Sequence, residues 1–169
     1  LWEVRRQGSS SMKKLASTKL NEDVVVPLDK QVELVRAVER LRAAYGIKIG
    51  VFGHCGDGNL HINLMYDEEN SEETSRAVSA LKELMSKVIE LGGAISGEHG
   101  VGLAKTPFVR EQFNPAEWRA MLAIKEALDP NKILNPGKIF DVFHPWEQKK
   151  KSVTLSWEIE NEEPKPQEV

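Results

Sequence analysis

Apolar residues recur along this chain with two periods. In Leu28–Tyr45 (LDKQVELVRAVERLRAAY), Val32, Val35, Val38, Leu41 and Ala44 return at helical spacing with charges between them. That pattern predicts an amphipathic helix, with Asp29 as its expected N-cap and Gly46 as its stop. Ser71–Leu91 predicts a second long helix, closed by Gly92-Gly93. Shorter stretches predict strands. Glu22–Pro27 (EDVVVP) is β-branched and ends at a proline, and Ile47–Phe52 (IKIGVF) follows the first helix. In Leu60–Tyr66 (LHINLMY), His61, Asn63 and Met65 alternate with Leu60, Ile62 and Leu64. Ala94–Ser96 reads as one more short strand. Thr106–Phe113 follows, and then Pro115–Leu128 reads as a helix capped by Asn114. Residues 1–16 mix apolar and basic side chains, a helical pattern weakened by Gly8.

The order strand, helix, strand, strand, helix, strand is the split βαβ arrangement of ferredoxin-like folds. The expected class is α+β: a βαββαβ antiparallel sheet with helices on one face, followed by C-terminal helices. In the strict strand order of that fold, the last strand lies on the far side of the sheet from the central hairpin. Residues 1–140 are the expected domain. Residues 141–169 form a polar Lys/Glu/Pro-rich tail, expected to be mobile or to need a partner to order it. The chain opens at Leu1 without a methionine, and we expect a fragment of a longer protein.

Composition narrows the function classes. A net charge of −3 over 169 residues supplies no basic field for nucleic acid. A single cysteine excludes an internal disulfide framework and a Cys-rich zinc site, and it suits a reducing, cytoplasmic compartment. No apolar run approaches the roughly 20 residues of a membrane helix, so membrane association would come through partners.

The chemistry concentrates in GHCGDGNLHIN (53–63) and SGEHGVG (96–102). Asp57-Gly58 between two apolar strands predicts a two-residue hairpin turn. Counting outward sets His54 opposite His61, with Cβ atoms roughly 5 Å apart. Asn63 shares their face by the period of two, while Cys55 falls on the opposite face with Leu60 and Ile62. Two imidazoles at that separation can share a metal, and a carboxylate as third ligand leaves an open position. Glu98 is the natural third ligand, in a segment whose glycines permit close backbone approach. His99 would point elsewhere and could act as a base. The same two histidines could also form a half-buried polar pair beside a turn.

These motifs, in order with LDPNKILNPGKIF (128–140), resemble the C-terminal region of FAD-linked oxidases of the vanillyl-alcohol-oxidase type. The resemblance runs from Leu1 to about Phe140 and is strongest to the group of glycolate oxidase FAD subunits, D-lactate dehydrogenases and D-2-hydroxyglutarate dehydrogenases. It implies that His54, His61 and Glu98 hold a divalent metal, which could be zinc, manganese or iron. It implies that His99 is the base that takes the hydroxyl proton of a small 2-hydroxy acid while hydride passes to the flavin. It implies that Asn63 lies near the substrate, that Arg5 pairs with a substrate carboxylate, and that Asn135 approaches the isoalloxazine. The FAD-binding domain of that family, with its glycine-rich pyrophosphate loop, is not in this sequence. The chain therefore resembles the substrate or cap half, expected to be inactive alone, with the missing FAD domain and electron-transfer subunits as partners. Members acting on dicarboxylic hydroxy acids carry a lysine just before the EDVVVP strand. Here the nearby residues are Asn21 and Glu22, which favours glycolate or D-lactate.

Two other classes fit parts of the pattern. A metal-dependent hydrolase could use the same three ligands without flavin, and a ferredoxin-like interaction module would need no metal. The LDPNKILNPGK ending favours the oxidoreductase over both. Arg5 has the alternative of a solvated helix charge, Asn135 of a turn former before Pro136, and Trp2, Trp118 and Trp146 of packing or partner surface. Lys149–Lys151 reads as a solvated charge run. A cap half on its own should expose an apolar patch and self-associate.

Overall fold

The computed structural model describes Met12 and residues 15–141. The expectations for Arg5, Trp2, Trp146, the N-terminal helix and the tail fall outside those residues, apart from Met12 and Asp141 at their margins. Within them, strands β1 (Thr18–Val25), β2 (Lys48–His54) and β3 (Asn59–Tyr66) form an antiparallel sheet in the order β1-β3-β2. Helices α1 (Gln31–Tyr45) and α2 (Ser71–Glu90) complete the βαββα path, and α3 (Thr106–Gln112) and α4 (Pro115–Leu128) follow. The α+β class is as expected. No helix among the described residues is long and apolar enough to cross a membrane.

The core lies between the helices and the face of β3 that carries Leu60, Ile62 and Leu64. Leu34, Val38 and Leu41 of α1, with Leu81, Leu84 and Val88 of α2, close over it. The apolar stripe predicted for α1 is corrected. Leu34, Ala37, Val38 and Leu41 are buried, whereas Val32, Val35 and Ala44 face outward. The sequence offers two apolar stripes, and packing on the sheet selects one of them. Asp29 is also not the cap of α1: it sits in a 3-10 turn, Leu28–Lys30, which leads into the helix. Gly46 does stop α1, in the left-handed region with its N–H on the Arg42 carbonyl. Asn114 caps α4 in a full capping box with Glu117.

β1 is longer than EDVVVP suggested, beginning at Thr18. The expected fourth strand shrinks to one bridge, Ala94 with Val25, which keeps its place beside β1. Continuing that ladder would pair Asp23 with Ser96. Instead the Lys105 ammonium, itself buried, occupies the edge and donates to the carbonyls of Asp23 (2.5 Å) and Ile95 (2.6 Å). It also lies 3.9 Å from the Glu22 carboxylate. Beyond the bridge, the backbone of residues 96–99 leaves the sheet edge and turns over the other face.

Candidate metal and catalytic site

The polar face of the sheet carries Asp23 from β1, Phe52 and His54 from β2, and Asn59, His61 and Asn63 from β3, as the pairing and the period of two require. The hairpin differs from the predicted two-residue turn. Cys55–Asp57 wind into a 3-10 turn, Gly58 closes it at φ +78°, and His54 pairs with Asn59. His61 stands opposite Phe52, and its ring lies 5.3 Å from that of Phe52. His54 and His61 are therefore diagonal neighbours with ring centroids 6.1 Å apart, rather than a direct pair. A displacement of two residues preserves the face, so both imidazoles still meet above the same surface. Cys55 is corrected as well: it lies in the turn and is exposed, not packed with Leu60 and Ile62.

Glu98 reaches this hairpin because the loop after the bridge folds over β1. Its Oε1 lies 3.2 Å from His61 Nε2, 3.9 Å from His54 Nε2 and 3.5 Å from His99 Nε2. His99 does not point away as expected. Its ring stacks on His61 with centroids 5.1 Å apart and planes 30° from parallel. His61 is nearly buried, while His54, Glu98 and His99 are about half exposed. One wall of the cluster is thus fixed and the other is open.

One donor atom from each of His54, His61 and Glu98 lies within 4.8 Å of the others. Two imidazole nitrogens and one carboxylate oxygen are a donor set that divalent transition metals take. A tetrahedral ion with bonds of about 2.1 Å holds its ligands roughly 3.4 Å apart. The contacts of 3.2 and 3.9 Å bracket that spacing. The residues fit such an ion, with the half-exposed side left for a further ligand. His61 Nδ1 is buried with no hydrogen-bond partner among the described residues, and so is Asn63 Oδ1 on the same face.

Asn63 is where the alternation put it, but it is fully buried. Its amide donates to the carbonyls of His61 (3.3 Å) and Gly50 (3.5 Å), so in this conformation it braces the hairpin. Asn135 lies apart, in the loop after α4, with φ +46° and its carbonyl accepting the Lys138 N–H. It lines a cavity of about 280 Å³ with Lys125, Lys132, Lys138 and Phe140, none of which belongs to the histidine cluster.

Sequence reasoning missed Asp23. It is almost fully buried, stands opposite His61 in the β1–β3 register, and accepts the backbone N–H groups of residues 97–99. Burial alone would raise its pKa. The N–H of His99, the Asn59 amide, the N–H of Glu98 and the Lys105 charge outweigh that and hold it well below the usual carboxylate range. The available signal was an aspartate inside a β-branched strand, where that residue type is disfavoured.

Residues 1–139 match the family described as FAD linked oxidases, C-terminal domain. The chain is 44% identical over 140 residues to the glycolate oxidase subunit GlcD of Bacillus subtilis, covering 83% of this chain and 30% of that protein. It is 42% identical over 118 residues to the D-lactate dehydrogenase of Anaerostipes hadrus, covering 69% and 25%. It is 33% identical over 144 residues to the D-2-hydroxyglutarate dehydrogenase of Stutzerimonas stutzeri, covering 83% and 31%. The chain spans less than a third of the length of each of these relatives.

Proposed function

The chain belongs to the C-terminal domain family of the FAD-linked oxidases, and from that premise we propose that it is the substrate-side half of an FAD-dependent 2-hydroxy-acid dehydrogenase. The reaction is oxidation of a small 2-hydroxy acid, of the glycolate or D-lactate type, to the 2-oxo acid. The observation that carries this reading is the meeting of Glu98 Oε1 with the Nε2 atoms of His61, His54 and His99 on one open face.

His54, His61 and Glu98 are the proposed holders of a divalent ion. When bound, that ion would supply Lewis acidity and FAD a hydride acceptor. The remaining work falls to this chain. His99, with Nε2 3.5 Å from Glu98 Oε1, takes the hydroxyl proton at that nitrogen. The stack on His61 limits how the His99 ring can turn. The loop carrying His99 also carries Glu98, so the proton acceptor and the anionic donor move as one unit. Asn63 and Arg5 as substrate-side residues, and Asn135 as a flavin contact, rest on the family resemblance. Asn21, on the polar face opposite Asn63 where a lysine would serve a second carboxylate, supports a monocarboxylate substrate, while Glu22 leaves the other face.

The test is metal content together with turnover in the full-length enzyme. The parent is expected to hold about one equivalent of a divalent ion per chain and to oxidise D-lactate or glycolate. His54→Ala/His61→Ala is expected to lose both. Equal metal content in parent and variant, or full turnover by the variant, overturns the proposal.

A further inference from the structure

Glu98 and His99 come from a loop that shares a single bridge with the sheet, yet both side chains arrive above His61. We propose that Asp23 is the positioning residue of this site, its carboxylate drawing residues 96–99 over β1 and setting Glu98 and His99 above the hairpin. Asp23 Oδ2 accepts the backbone N–H of Gly97 at 3.0 Å and those of Glu98 and His99 at 2.8 Å each, with the Ser96 hydroxyl at 3.4 Å. Oδ1 accepts the Asn59 amide at 2.5 Å. Successive N–H groups aimed at one oxygen form a concave anion receptor. Here the anion is supplied by the protein itself.

The anchor and the site share one register. Asp23 pairs with His61, so the strand pairing that positions the buried imidazole also positions the carboxylate that holds the loop. Gly97 makes the approach possible: a Cβ there would fall 1.9 Å from Asn59 Nδ2 and 2.7 Å from Asp23 Oδ1. Charge-assisted hydrogen bonds are the stronger kind, and this carboxylate accepts several at once. An asparagine in its place could still offer one oxygen to the loop, but its amide would meet the Asn59 amide donor to donor. The role is indirect, because the hydrogen bonds of the Asp23 carboxylate go to the loop and to Asn59 rather than to an imidazole.

The proposal rests on the metal reading above for one of its two readouts only. The first is amide hydrogen exchange of the metal-free full chain in the parent, Asp23→Ala, Asp23→Asn and Gly97→Ala. The amides of Gly97, Glu98 and His99 are expected to be protected in the parent. In Asp23→Ala they should exchange roughly ten- to a hundredfold faster, while Ile62 and Leu64 of β3 keep their protection. Asp23→Asn should fall between, and Gly97→Ala should free the same amides with Asp23 intact. The second readout is calorimetric affinity for Zn²⁺, expected to drop about ten- to a hundredfold in Asp23→Ala. Unchanged exchange at the three amides overturns the proposal, as does released exchange with parental Zn²⁺ affinity. If Asp23→Ala loses protection in β3 as well, Asp23→Asn is judged by the same criteria. A parent that binds no Zn²⁺ sinks the metal reading, and the amides alone then decide the role of Asp23.

Discussion

Glu22 and Asp23 are neighbours on β1 whose side chains leave opposite faces of the sheet, and their surroundings drive their acidities apart. Burial raises Glu22 from 4.5 to about 7; the Asp23 charge adds to the rise, while Lys105 opposes it. Asp23 is held well below 3.8 by its donors. The two signs differ in their consequence. Between pH 4.5 and about 7 the folded state keeps a proton on Glu22 that the unfolded chain has released. Stability therefore falls across that window as pH rises. Glu22→Gln is expected to flatten this slope, by at most roughly 3 kcal/mol at its upper end, in urea midpoints followed from pH 4 to 8. For Asp23 the stabilisation is fully present above 3.8 and is lost as pH falls below it. Asp23→Asn should flatten only that acid limb. If Glu22→Gln leaves the slope between pH 4.5 and 7 as steep as in the parent, burial of Glu22 does not have this effect. At this scale the meeting of the histidines with Glu98 was legible from the sequence, whereas Asp23 was not. Its partners are backbone N–H groups some 75 residues away, and backbone donors carry no residue-type signal.

The hairpin shows what local pattern can and cannot specify. Alternation in LHINLMY fixed which residues share a face, and the Asp-Gly pair marked the reversal. The loop length was not legible, because Gln31 of α1 donates to the Cys55 carbonyl at 2.7 Å across the wound turn. That contact belongs to the packing of α1 beside the turn and has no trace in residues 53–63. The error moved His54 by two places, and only an even slip leaves the face intact. Gly58 is the residue on which the observed turn depends. Another side chain would have to hold φ near +78° and would put its Cβ 2.2 Å from the Val26 carbonyl oxygen. Gly58→Ala is expected to cost more than about 1–2 kcal/mol, seen as a lower urea midpoint with unchanged m-value. Because this turn delivers His54, Zn²⁺ affinity should fall in the same variant. A neutral outcome for both would mean that the turn relaxes without moving His54. The helix ends at Gly46 and Asn114 were readable because their signals are local: a left-handed stop and a capping side chain.

For the molecule as a whole, a sheet with a truncated fourth strand and C-terminal helices beyond it leaves apolar surface that these residues do not cover. Leu128 and Ile133 are 78% and 73% exposed, with Ile124 and Leu134 beside them in sequence. They are held in place, because the Asp129 carboxylate accepts the N–H groups of Ile133 and Leu134 at 3.0 Å each, tying the loop to the end of α4. Leu28 and Val32 form a second exposed pair at the start of α1. Ordered apolar groups pointing at water are a candidate contact surface, and this chain spans less than a third of its relatives. Taken alone, the chain is expected to self-associate through the α4 surface, where the more exposed side chains lie. Sedimentation velocity should show a weight-average coefficient that rises with concentration. Leu128→Ser/Ile133→Ser should abolish the rise, whereas Val32→Ser should leave it. A monomer at every concentration, or association removed by Val32→Ser alone, would place the covering contact elsewhere than on α4.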